Sequence, residues 1–333
     1  MVRVALLGMA HVHAGGYAQA VQRSPDAEIT CVWDGDPQRG RPAAEQYGVP
    51  YVSDLRAAVI RDDVDGVVVN APTAQHPEVI GAALEAGKHV FTEKALTIHT
   101  READELVQAV RRSGIQFMIS LPSRTRPETL FMRTALDEGL LGDVTMMRAR
   151  VAHSAALDGW FKGGSAWFGD AALAGGGSLF DLGCHTVDVM RWFLGEPESV
   201  TAMTTNFAKA YDIDDQCIAL VRFKNGALGI LDVSWVHRTG PNTTEIYGTE
   251  GFVGNGYPGL GLHLQSRKLP LREFDGTVLP RSLPRALPSP LEQWINAIAH
   301  HEPMTITVED GRNLTQLLEG IYESARSGRE VKF

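Results

Sequence analysis

The stretch that decides the fold is Val2-Arg3-Val4-Ala5-Leu6-Leu7-Gly8-Met9-Ala10-His11-Val12-His13. An apolar run of strand length stops at a glycine, and residues 15–24 then read as a helix. Strand, glycine turn and helix in that order aim backbone N–H groups at a helix start, where a pyrophosphate can bind. Only the first glycine of the G-x-G-x-x-G fingerprint stands in this loop. Ala10 adds a methyl where backbone must approach phosphate, and His13 replaces the glycine that eases helix packing.

The same alternation runs outward. Ile29 to Trp33, Val67-Val68-Val69, His89-Val90-Phe91 and Phe117-Met118-Ile119 read as short strands. Residues 38–47, 77–86 and 100–112 read as helices, the last with Ala103, Leu106, Val107 and Val110 at helical spacing. Short β-branched runs alternating with helices predict βαβ units and a doubly wound parallel sheet.

After Leu121-Pro122 the pattern changes. Residues 127–138 and 178–194 are expected helices, and Val144 to Val151 alternates as a strand. Further strands are expected at about 198–207, 216–224 and 227–236, the last two joined at Asn225-Gly226 by a tight hairpin with both central residues at positive φ. Antiparallel strands with helices on one side predict an α+β domain with an open sheet. Residues 256–290, rich in Pro and Gly, read as an irregular crossing loop, and helices at about 290–300 and 308–327 close the chain. The expected division is 1–121 and 122–333, and the last helices could pack back on the first domain.

The chain has 333 residues, 44% hydrophobic and 21% charged, the balance of a globular protein with material for two cores. It lacks the run of about 18 apolar residues a membrane span needs, and its amino terminus has no signal-peptide pattern. A cytoplasmic location without membrane association is expected. The net charge of -9, without a basic block, argues against a nucleic-acid partner. Cys31, Cys184 and Cys217 have neither disulfide nor zinc spacing.

Chemistry-bearing residues collect at the carboxyl ends of the predicted strands, where ligands of such sheets bind. Asp34, 26 residues after Gly8, is placed to accept from ribose hydroxyls. A carboxylate there repels a 2′-phosphate, so NAD is expected over NADP; the competing explanation is turn chemistry with Gly35, Asp36 and Pro37. Asn70, Ala71, Pro72 and His76 follow the third strand, and Glu93-Lys94-Ala95 the fourth. A lysine beside a nicotinamide can take a hydroxyl proton, because burial and a nearby cation lower its pKa; a solvated Glu-Lys pair is the bland alternative.

In the second half, Gly175-Gly176-Gly177-Ser178 precedes a helix. Ser178 suits an N-cap. Asp181, His185 and Asp188 are expected on one polar stripe, with Asp181 fixing the tautomer of His185. Arg124 and Arg126 could anchor substrate. His153, Trp160, Trp167, Trp235 and His237 could line a sugar pocket, although each also reads as structural. His11-x-His13 and His300-His301 invite a metal, but no third ligand is placed by the sequence, and no metal is expected.

With Gly8, Asp34, Glu93-Lys94 and Asp181…His185 in that order, the chain resembles the Gfo/Idh/MocA oxidoreductases along nearly its whole length. Arg124–Pro127, Gly139–Gly142, Gly175–His185 and Tyr247–Gly251 share in the resemblance. It implies a Rossmann domain followed by an α/β domain with an open, mostly antiparallel sheet, and homodimers or homotetramers formed through that sheet. By position it implies that Lys94 contacts the nicotinamide side and assists proton transfer. Asp181 and His185 then meet substrate hydroxyls, and Trp167 belongs to a cofactor clamp. Gly8, Ala10, His11, Val12, Asp34, Asn70, Ala71, Pro72, His76 and Glu93 complete the expected cofactor set, and Arg124, His153 and Trp160 the substrate set. Ala95 stands where a proline is usual, and Phe168 where an arginine is.

The expected function is NAD-dependent interconversion of a secondary alcohol and a ketone on a sugar, sugar derivative or cyclitol. Two alternatives stay open: glycoside cleavage through transient oxidation by tightly held NAD, and a non-catalytic NAD sensor.

Overall fold

The computed structural model describes residues 1–269 and 277–333. The chain clusters into two compact units. The first comprises Met1–Leu121, Trp160–Gly175 and Pro288–Gln316, and the second Pro122–Gly159, Gly176–Leu287 and Leu317–Phe333.

In the first unit, β1 (Val2–Leu7), α1 (Ala14–Arg23), β2 (Ala27–Trp33), α2 (Pro37–Tyr47) and α3 (Leu55–Val59) lead to β3 (Gly66–Val69). Then come α4 (His76–Glu85), β4 (His89–Thr92), α5 (Thr100–Ser113) and β5 (Phe117–Ile119). All strand pairs are parallel, in the order β2-β1-β3-β4-β5. Val4, Leu6, Leu7, Val67, Val68, Val69, Val90 and Phe91 are fully buried. Such continuous apolar runs are what a parallel sheet covered on both faces demands. The order reverses direction between β1 and β3, so the crevice beyond their carboxyl ends is where this topology receives ligands.

The second unit carries α6 (Pro127–Asp137), β6 (Val144–Ala152) and α7 (Ala155–Asp158), while α8 (Ala171–Ala174) belongs to the first. A π-helical turn, Leu179–Gly183, leads into α9 (Cys184–Leu194), and β7 (Pro197–Thr205), β8 (Gln216–Phe223), β9 (Leu228–Ser234) and β10 (Thr244–Gly248) follow. Next come β11 (Gly251–Tyr257), β12 (Gly261–Ser266) and β13 (Thr277–Val278). The chain closes with α10 (Pro290–His300) in the first unit, α11 (Val308–Ser327), which contributes to both, and β14 (Val331–Lys332). Among the described residues the second sheet has nine strands, in the order β13-β12-β11-β10-β6-β9-β8-β7-β14, antiparallel except for β6 beside β9. Along β8, Cys217, Ala219, Val221 and Phe223 point into the core, while Ile218 and Leu220 face outward. Among the described residues no helix is long and apolar enough to cross a membrane.

Three local expectations are corrected. The β8–β9 turn is longer than a two-residue hairpin: the Phe223 N–H bonds to the Ala227 carbonyl, and only Gly226 takes a positive φ, of 89°. Residues 256–290 are not one irregular loop, because β11 and β12 pair as an antiparallel hairpin in which Gly256, Gly259 and Gly261 supply the positive φ angles. Part of that span, 270–276, lies outside the described residues. Ser178 is not a capping acceptor, since its hydroxyl is given to Asp214.

Candidate functional site

The glycine turn is pinned on both sides. The Gly8 N–H donates to the Trp33 carbonyl at 2.7 Å, and the His11 N–H to the Asn70 carbonyl at 3.1 Å. Gly8 has a φ of 90°, and a Cβ there would lie 2.6 Å from the Ala71 nitrogen, so no other residue fits. Ala10 is buried beside Trp167 and Phe168, and the Trp167 indole N–H donates to the Ala10 carbonyl at 3.0 Å. The Trp167 and Phe168 rings stack at 4.1 Å, so the phenyl that replaces arginine serves apolar packing. His11 is buried against both rings, whereas Val12 is exposed.

Asp34, 2% exposed, directly follows β2. Its Oδ2 accepts from the Met9 N–H at 2.7 Å and its Oδ1 from the Asp36 N–H at 2.7 Å. Arg39 adds a bidentate ion pair, Nε to Oδ2 at 3.3 Å and Nη2 to Oδ1 at 2.9 Å. Each oxygen therefore holds two donors, and the partly exposed Arg39 is the one a ribose diol can displace.

Asn70 sits at the switch point with no exposed surface, and among the described residues neither its Oδ1 nor its Nδ2 has a hydrogen-bond partner. Orphaned buried amides are costly. A fully buried, unpartnered donor and acceptor just past the carboxyl end of β3 fit a dinucleotide, as do Asp34 and the Gly8 turn. His76 approaches three carbonyls, Ala95 and Leu96 through Nδ1 (3.0 and 3.1 Å) and Ala71 through Nε2 (3.1 Å). Burial nevertheless pulls its pKa below the ordinary value, and the neutral ring donates through one nitrogen only. His76 thus ties the ends of β3 and β4 together.

Glu93 and Lys94 are both buried, at 1% and 5% exposure, so the solvated pair is excluded. Glu93 Oε2 accepts from the Lys94 N–H at 2.8 Å, Oε1 lies 2.9 Å from His13 Nδ1, and Oε1 also accepts from the Tyr17 hydroxyl. Burial alone would raise the Glu93 pKa; His11, His13 and Lys94 outweigh it and hold the carboxyl well below the usual range. Tyr17 in turn lies 2.7 Å from Ser120 Oγ. Sequence reasoning missed Tyr17, although it falls one helical turn after His13.

In the second unit Gly177, Ser178 and Leu179 close around Asp214, which the sequence reading passed over. Its Oδ1 accepts from the Gly177 N–H at 2.8 Å and the Tyr322 hydroxyl at 2.7 Å. Its Oδ2 accepts from the Ser178 hydroxyl at 2.8 Å and the Leu179 N–H at 3.3 Å. A Cβ on Gly177 would lie 1.8 Å from the Asp214 carbonyl oxygen, so the close approach requires glycine. The π turn that follows breaks the regular periodicity the polar stripe needs. Asp181 Oδ2 accepts from the buried Trp235 indole at 3.1 Å, whereas Asp188 forms a buried bidentate pair with Arg124 at 2.6 and 3.0 Å. Arg124 also lies over the Trp192 ring, which gives it a structural task. His185 is the second residue of α9, and both it and Asp181 are partly exposed. His153 Nδ1 accepts from the Ala155 N–H at 3.2 Å, and Trp160 is 54% exposed. All the expected cofactor residues fall in the first unit. Arg124, His153, Asp181 and His185 fall in the second, while Trp160 falls in the first.

Residues 2–121 match the model of the oxidoreductase family with an NAD-binding Rossmann fold, and residues 129–253 that of the GFO/IDH/MocA C-terminal domain. The chain is 26% identical over 246 residues to a levoglucosan dehydrogenase of Pseudarthrobacter phenanthrenivorans, covering 66% of this chain and 63% of that one. It is 29% identical over 270 residues to a scyllo-inositol 2-dehydrogenase (NAD(+)) of Bacillus subtilis, covering 76% and 74%. Its fold matches that of GenD2 from gentamicin A biosynthesis, solved in complex with NAD, with a TM-score of 0.82, 29% identity and coverage of 100% and 96%. The pinned glycine turn, the orphaned Asn70 amide and these matches converge: the chain belongs to the Gfo/Idh/MocA family of NAD-dependent oxidoreductases.

Proposed function

We propose that this enzyme interconverts a secondary alcohol and a ketone on a sugar, sugar derivative or cyclitol. NAD, when bound, supplies the hydride acceptor. The 8–13 turn would hold its pyrophosphate, Asp34 a ribose, and Asn70 a polar group at the switch point. Lys94 exchanges the hydroxyl proton with the substrate. His185 and Asp181 hydrogen-bond substrate hydroxyls, the Asp181 carboxylate being oriented by Trp235. The observation that carries this reading is a lysine buried directly after β4, at the ligand-receiving edge of the sheet. The sugar and inositol dehydrogenases among the relatives support the substrate class. We further infer a cytoplasmic enzyme that self-associates through the outer face of the nine-stranded sheet, where Met203, Ile218, Leu220 and Leu228 are exposed.

The test is an NADH-coupled screen over sugars, sugar acids and inositols, with Lys94→Ala beside the unaltered protein. The variant should bind NAD normally while turnover falls by about 100-fold or more, the scale of losing a general base. Near-normal turnover would overturn the assignment of Lys94.

A further inference from the structure

His11, His13 and Glu93 are separated by up to 82 residues in sequence, yet each offers a ligand atom within 4.8 Å of the others. His11 Nε2 lies 3.8 Å from Glu93 Oε2, and His13 Nδ1 lies 2.9 Å from Glu93 Oε1. Bonds of 2.0–2.2 Å at a tetrahedral angle put neighbouring ligand atoms about 3.4 Å apart, between those two separations. We propose that His11, His13 and Glu93 form a binding site for a divalent transition-metal ion, with water in the remaining positions.

Two imidazoles and one carboxylate suit zinc, cobalt or nickel, whereas magnesium and calcium call for oxygen ligands. The carboxylate is held in place, since Tyr17 and the Lys94 N–H both donate to it. Ligating carboxylates need such support. Binding has two local costs. His13 gives up the Nδ1 proton it directs at Glu93, and His11, whose Nδ1 now accepts from the His13 N–H at 3.2 Å, must move its proton from Nε2 to Nδ1. Only an ion with a strong preference for imidazole offsets both, which is why the site should discriminate against magnesium. A bound ion would clasp the turn between β1 and α1 to the end of β4. This inference rests on the cluster alone and is independent of the role given to Lys94.

The full-length protein, stripped with a chelator, is titrated with zinc, cobalt and magnesium, following heat, the visible cobalt spectrum and the melting temperature. Expected are one zinc or cobalt ion per chain, a cobalt band showing nitrogen ligation, a raised melting temperature and no response to magnesium. His13→Ala, at a half-exposed ring, should still fold, and should weaken zinc by about 100-fold or more, beyond the usual cost of losing a supporting group. His300→Ala, at a histidine outside the cluster, should leave affinity unchanged. Absence of one-to-one binding, equal binding of magnesium, or zinc affinity unaffected in His13→Ala would overturn the proposal.

Discussion

Asp34 shows how much one carboxylate can be asked to do. It orders the glycine turn through the Met9 N–H and restrains Arg39 by a bidentate pair. Replacing it by serine removes the charge that opposes a 2′-phosphate and releases a guanidinium suited to binding one. Asp34→Ser should therefore move the NAD/NADP ratio of kcat/KM toward NADP by about tenfold or more, as measured with both coenzymes on one substrate. An unchanged ratio would mean that this carboxylate does not face the ribose. His76 and Glu93 predict a pH response of one sign. Both have folded-state pKa values below their ordinary ones, so the unfolded chain takes up protons first as the pH falls. The contribution of these two groups is complete well above about pH 6.5; the histidine part fades as the pH falls through that value and the carboxylate part below about pH 4.3. Urea midpoints should drop from pH 8 to pH 5, and His76→Gln should flatten that drop.

At the scale of elements, Asp214 replaces a helix cap. It gathers two backbone N–H groups and two hydroxyls around the turn that delivers the π segment and α9. Asp214→Ala strands several buried donors and should cost about 3 kcal/mol in denaturant unfolding. The local character of the βαβ half made it readable, since strand runs, turn glycines and Asp34 signal themselves within a few residues. Partnerships made across long sequence separations stayed hidden. Nothing near His11 and His13 announces Glu93, because only the parallel sheet brings the end of β4 beside the turn after β1. Asp214 lies in an acidic stretch that resembles any solvated loop, and the β11–β12 hairpin was masked by glycines that serve its turn.

For the whole molecule, the exposed apolar residues on β7, β8 and β9 carry a prediction about assembly. Met203 pairs with Ile218, and Leu220 sits opposite Thr201 and Ile230 on the same side of the sheet. An exposed apolar patch of this kind is where self-association is expected. Leu220→Lys, which reaches no core residue, should preserve the melting curve to within a few degrees while light scattering shows monomers. Unchanged mass would place self-association elsewhere. The margins of the same sheet bear on what kind of assembly can form. Among the described residues its two outermost strands, β13 and β14, are two residues each. So short a hem gives an incoming backbone almost no ladder to extend. Self-association through this face, as proposed above, is therefore expected to stop at closed, countable complexes and not to grow as an open-ended ribbon.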